Sequence, residues 1–114
     1  MKNLTIKDIF ALRRAGKIEE AYDAILPMYK VHHGKYTSIA MFWCAVDKMN
    51  LLLTRVEGVD EASMAALHEA EGIMQSLKRL LEQLYDEGGT CKQTVKNMQA
   101  ALEATRLKAM INNE

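Results

Sequence analysis

Six apolar positions, Ala66, Ala70, Ile73, Leu77, Leu80 and Leu84, alternate by four and three residues without a slip. A strand would repeat its apolar positions every two residues. Steps of four and three keep one stripe on one side of a helix. The pattern predicts a helix from about Glu61 to Tyr85, with Leu67, Met74 and Leu81 widening the stripe. At 1.5 Å per residue that helix is roughly 37 Å long. Asp60 has the residue type and position of an N-cap. Gly72, inside the pattern, costs up to about 1 kcal/mol relative to alanine and is read as the mark of a close helix crossing.

The rest of the chain reads the same way. With one proline and six glycines among 114 residues, it lacks the turn chemistry of a strand-rich fold. A first helix is expected over about Ile6–Ala15. Thr5 and Asp8 have capping-box spacing there, and Gly16 is the C-terminal stop. A second runs from about Ile18 to Val31, where Ile18, Tyr22, Ile25 and Tyr29 step by four, three and four. Pro27 lies inside it and removes one helix hydrogen bond, so a kink or a break is expected. Gly34 is expected to end that element.

A third helix, about Thr37–Arg55, opens on the all-apolar run Ile39–Val46. A helix with no polar face is buried on several sides, which places Trp43 in the core. Gly88-Gly89 is the clearest break in the chain. Thr90 and Gln93 then have capping-box spacing at the start of a fifth helix, whose stripe is Cys91, Val95, Met98, Leu102, Thr105 and Ala109. The expected fold is all-α: about five helices in antiparallel hairpins, repeat-like, with a long fourth helix. The expected organisation is one helical domain over 1–114, made of a hairpin at 4–34, a central helix at 37–55 and a second hairpin at 60–111.

The net charge is zero, which removes the overall basic surplus of a non-specific nucleic-acid binder. The charge is uneven, however. Residues 1–35 carry seven basic and four acidic side chains, and residues 61–89 carry two and six. Complementary helices packed side by side account for this, and a partner-facing acidic patch is the alternative. Two cysteines make no disulfide framework. No apolar stretch approaches the roughly 20 residues of a membrane span, and no export signal is visible. A cytoplasmic protein with reduced cysteines is therefore expected.

Leu12-Arg13-Arg14-Ala15-Gly16-Lys17-Ile18-Glu19-Glu20-Ala21-Tyr22 joins one helix end to the next helix start through Gly-x-hydrophobic-x-x-Ala. This segment resembles the turn of the tetratricopeptide repeat. The likeness covers mainly residues 4–31, with a looser second turn at Gly58-Val59-Asp60-Glu61-Ala62. The two glycines are 42 residues apart, against a family period of about 34, so the chain is repeat-like rather than a regular array. The resemblance implies stacked helical hairpins that bind proteins or peptides and carry out no chemistry.

Residues able to do chemistry do not converge. His32-His33 sits at a helix end, where a cationic imidazole suits the macrodipole. Glu61, His68, Glu69 and Glu71 present His-x-x-Glu once. Bundle di-metal sites use Glu-x-x-His twice. Cys44 reads as core, and Cys91 has no histidine arranged with it. Lys7, Arg13, Arg14 and Lys17 are followed by Glu19, Glu20 and Asp23, which repel phosphate. No catalytic residue, metal site or cofactor is expected. The expected function is a non-enzymatic protein–protein interaction module or small scaffold for an unidentified protein or peptide. Tyr22, Tyr29 and Tyr36, stepping by seven, line either a groove or the edge of the core. Met74 and Leu81 belong to surplus apolar surface on the fourth helix, which a homodimer would cover. The alternatives are a helical regulator contacting nucleic acid and a small ligand-binding bundle.

Overall fold

The computed structural model describes residues 4–84 and 86–112, the side chains of Glu87 and Asn112 excepted. Tyr85, the expected end of the fourth helix, lies outside the described residues. The elements are α1 (Ile6–Arg14), α2 (Ile18–Val31), α3 (Lys35–Thr54), α4 (Glu61–Gln83), a one-turn 3-10 helix (Glu87–Gly89) and α5 (Thr90–Asn112). No strand occurs among the described residues. The fold is all-α, and sequential helices pack as hairpins. The chain divides into two compact units, Met1–Lys48 and Met49–Glu114, with the division inside α3.

In the first unit α1 and α2 pack against each other. Thr5 caps α1 through a reciprocal box. Its hydroxyl accepts from the Asp8 amide at 3.2 Å, and its own amide donates to the Asp8 carboxylate at 2.8 Å. At the other end Gly16 takes a left-handed φ of 78°. The Lys17 amide then reaches the Leu12 carbonyl, and the Gly16 amide reaches Arg13, each at 3.0 Å. This pair of bonds satisfies carbonyls that the helix end would leave open, and it turns the chain straight into α2.

Pro27 does not break α2, which is continuous from Ile18 to Val31. Its ring and Asp23, whose carbonyl loses a partner, both lie on the exposed side, where water can replace the missing bond. Gly34 does not end α2 either. The helix stops at Val31, His32 is extended, and the Gly34 carbonyl accepts the first α3 bond from the Ser38 amide at 2.9 Å. Consequently α3 starts two residues before the expected Thr37.

The apolar run in α3 is buried almost all round: Ala40, Met41, Phe42, Cys44, Ala45 and Val46 are all buried. Its least buried stripe is Ile39, Trp43, Asp47 and Asn50. Trp43 is therefore half-buried at the edge of the core, not in its centre. Phe42, one residue earlier and about 100° round the helix, is fully buried in its place. The two rings meet edge to face, 5.0 Å apart at 85°.

In the second unit α4 and α5 form the hairpin. The α4 seam is covered within the chain: Ile73, Met74, Leu77 and Leu80 are buried, and Leu81 and Leu84 are partly exposed. On α5, Val95, Met98, Leu102 and Ala109 are buried. Glu71 and Arg106 link the two helices at 3.2 Å.

Gly72 does not mark a close helix crossing. It is exposed, and a Cβ built there would meet nothing within 4 Å. Its cost is then backbone entropy alone. Gly72→Ala should raise stability by up to about 1 kcal/mol, read as a higher urea midpoint at constant slope. A loss of stability would mean that the site is crowded after all.

α4 ends at Gln83, with Leu84 already extended, so the Gly88-Gly89 pair does not stop it. The two glycines lie in the 3-10 turn before α5 and take left-handed φ values, 82° and 74°. The expected box at Thr90 is not formed. Thr90 already lies in α5, and Gln93 bonds Asn97 instead. The cap comes from Asp86, whose two carboxylate oxygens accept the Cys91 and Lys92 amides at 2.9 Å each.

Candidate interaction surface

Two partly shielded ion pairs hold the first unit together. Arg13 on α1 reaches Asp47 on α3 with both ends of its guanidinium, Nε at 2.6 Å and an Nη at 3.3 Å. The same guanidinium lies over the Trp43 ring, 5.9 Å from its centre. Lys48 pairs with Glu19 of α2 at 3.2 Å, and its ammonium lies 5.8 Å from the centre of the Tyr22 ring. Of the basic residues of the N-terminal hairpin, these contacts engage Arg13. Arg13 is a strut between helices rather than a phosphate ligand.

The sequence-predicted contact residues separate by environment. Tyr22 is half-buried under Lys48. Tyr29 is half-buried and edge-on to His33 at 4.3 Å. Tyr36 is 67% exposed, with the Lys35 ammonium beside its ring. Tyr22 and Tyr29 sit at the core edge, and Tyr36 faces solvent. Met74 is only 1% exposed, so the part of the seam that was expected to lie open is covered within the chain and closed to a partner. Leu81 is partly exposed.

An open groove of about 400 Å³ lies along α1 and the start of α2, in the first unit. Its apolar lining is Leu4, Ala11, Leu12 and Ala15, and its charged members are Asp8, Lys17 and Glu20. A smaller one of about 280 Å³, in the second unit, is lined by Leu52, Arg55, Ala62, Ala65, Ala66 and Glu69. The expected tyrosines line neither.

The thiols are poorly suited to nucleophilic chemistry. Burial pushes the Cys44 thiol up to about 11, with the Arg13 charge opposing and the Asp47 charge adding to the effect. Cys91 is at a helix N-terminus, a place that ordinarily lowers a thiol pKa. Here it is raised to about 11, first by burial, then by the Asp86 charge and a hydrogen bond to that carboxylate. The Asp86 carboxylate occupies the amides that would otherwise stabilise a thiolate. At pH 8 both thiols should react with a disulfide reagent far more slowly than a free cysteine. Asp86→Asn should speed Cys91 and leave Cys44 unchanged. Wild-type Cys91 reacting at the rate of a model thiol would refute this.

Asp86 itself is held below the ordinary carboxylate range by the Cys91 and Lys92 amides. A carboxyl lowered in the folded state contributes stability above its unfolded pKa. That contribution is lost as the pH falls through the folded value. The start of α5 should therefore loosen only in acid, below about pH 4. Asp60, lowered chiefly by the Ser63 hydroxyl, titrates in the same direction.

Three structurally important groups were not anticipated. Ser63 is 1% exposed, and its hydroxyl accepts the amides of Glu57 at 2.9 Å and Gly58 at 3.3 Å, fixing the loop before α4. Asp86 caps α5. The end of α5 carries a second apolar face, with Leu107, Met110 and Ile111 strongly exposed. Ser63 had no readable local signal. Asp86 is a capping residue type that competes with the Thr90–Gln93 spacing, and Leu107, Met110 and Ile111 have helical spacing. Among the described residues, no group of three or more His, Cys, Asp or Glu could hold a metal ion. No helix described is long and apolar enough to cross a membrane. No family model matches the chain, and neither a curated protein nor a solved structure matches it.

Proposed function

We propose that the chain is a non-enzymatic protein-interaction module, a small cytoplasmic scaffold of tetratricopeptide-like hairpins that also associates with itself. One observation carries this reading. Large apolar side chains stand out from otherwise well-covered helices, at Val31 and Tyr36 near the α2–α3 junction and at Leu107, Met110 and Ile111 on α5. Exposed apolar clusters of this kind favour a macromolecular partner. The raised thiols and the ion-paired Arg13 and Lys48 fit a framework role better than chemistry or phosphate binding.

An affinity matrix of the full chain, run beside one carrying Tyr36→Ser with Leu107→Lys, tests the reading. A protein kept by the first and lost from the second supports it. Retention of nucleic acid that falls steeply with salt would instead favour a regulator of nucleic acid. Protein retention unaffected by the two changes would place the binding surface elsewhere.

A further inference from the structure

We infer that the C-terminal half of α5, residues 100–111, pairs in parallel with the same segment of a second copy, as a short two-stranded coiled coil. The inference rests on the reading of the chain as an association module, and it names both the face and the partner. Leu107, Met110 and Ile111 are 60%, 60% and 59% exposed. Two turns and one turn before Leu107, the same face carries Ala100 and Ala104, both exposed. Ala100, Ala104, Leu107 and Ile111 step by four, three and four, which is the alternation of a coiled-coil seam. The opposite side of α5 faces inward: Leu102 and Ala109 are buried, and Arg106 reaches Glu71 of α4. The α4 contact therefore leaves this seam open.

The identity and orientation of the partner follow from the register. In heptad terms Ala104 and Ile111 fall at a, and Ala100 and Leu107 fall at d. Ile111 at a with Leu107 at d is the combination that favours parallel two-stranded packing. The alanines at 104 and 100 set no orientation of their own, and the flanking charges decide it. Glu103 is then at g, and Lys108 is at the following e. In a parallel pair, g of one helix lies against that e of the other, so Glu103 of each copy meets Lys108 of its mate, twice per dimer. An antiparallel pair brings e against e and g against g, so lysine meets lysine. Both side chains are exposed. Glu103 also accepts a hydrogen bond from Gln99 on its own helix, which leaves carboxylate lone pairs for the lysine. The alanines at 100 and 104 let the two backbones approach closely. The contact is small beside the roughly 1,600 Å² of a standard interface, so the dimer should be weak, with dissociation in the micromolar range.

Sedimentation of the full chain from low to high micromolar concentration tests this. Circular dichroism serves as a check on folding, because every substituted side chain is exposed. Wild type should pass from monomer to dimer, and Leu107→Lys should stay monomeric. Lys108→Glu should weaken the dimer several-fold by placing two glutamates together, and adding Glu103→Lys should restore it. Ala100→Cys should form a disulfide-linked dimer on mild oxidation, since parallel pairing brings the two copies of that end position together. Antiparallel pairing of the same seam sets it against Ile111 and leaves the two copies about 16 Å apart along the axis. A monomer at every concentration overturns the inference. So does a dimer indifferent to Leu107→Lys, or one that the double charge reversal does not restore. In the second of these outcomes self-association stands and only the face is wrong. A chain that is monomeric and also retains no protein on the affinity matrix loses both readings.

Discussion

Phe42→Ala should cost roughly 3–5 kcal/mol, enough to consume a large share of the stability of a chain this size. Phe42 is fully buried, and its neighbours on α3, Ala40, Met41, Cys44, Ala45 and Val46, are buried as well. Truncation leaves a cavity that several packed side chains would have to move together to fill. Trp43 is the larger residue, yet Trp43→Ala should cost less, about 1–3 kcal/mol. Its ring is partly exposed, and part of what it loses is the contact with the Arg13 guanidinium. Urea unfolding of both variants gives the order directly. If Trp43→Ala proves the more damaging, the core is centred on the tryptophan. Native tryptophan fluorescence offers an independent check, because a half-buried indole beside a guanidinium should be quenched by iodide to an intermediate degree.

The helices were legible in the sequence because their signals are local and repeated. The boundaries of α2 are those read from its four-three-four stripe, and the Thr5–Asp8 box formed where its spacing placed it. Other features failed because two local rules competed. Glycine at 34 has the residue type of a helix stop, but a glycine between two helices can equally open the second, and here it does. Thr90 and Gln93 have the right spacing for a box, but Asp86 lies earlier and binds the same end with a full negative charge. Pro27 removes one bond from a helix whose inward face, Ala21 and Ile25, is fully buried, and that packing outweighs the loss.

The interaction surface was harder to read, for a different reason. A stripe shows that a face is apolar but not what covers it. The strong α4 stripe looked like surplus surface, yet Met74 at its margin is buried. The α5 stripe through Val95, Met98 and Leu102 drew the eye, and it is the covered one. Leu107, Met110 and Ile111, on the other side of the same helix, remain open. Arg13 and Asp47 are 34 residues apart, so no spacing rule could pair them, and the basic patch around Arg13 had to be read without its counter-charge.

Leu77→Ala should cost about 2–5 kcal/mol. Leu77 is fully buried in the middle of the α4 seam, with Ile73, Met74 and Leu80 buried around it. The loss should be the same at low and high protein concentration, because a seam closed within one chain gains nothing from mass action. Leu81 provides the contrast. It sits one turn further along and is partly exposed, so Leu81→Lys keeps most of its methylene stem in contact while its charge reaches water. That substitution should cost markedly less than Leu77→Ala. It should also leave sedimentation unchanged if dimerisation uses α5. A stability loss at Leu77 that shrinks as protein concentration rises would mean that α4 takes part in an intermolecular core. Weakening of the dimer by Leu81→Lys, with monomer stability unchanged, would then identify α4 rather than α5 as the helix shared between copies.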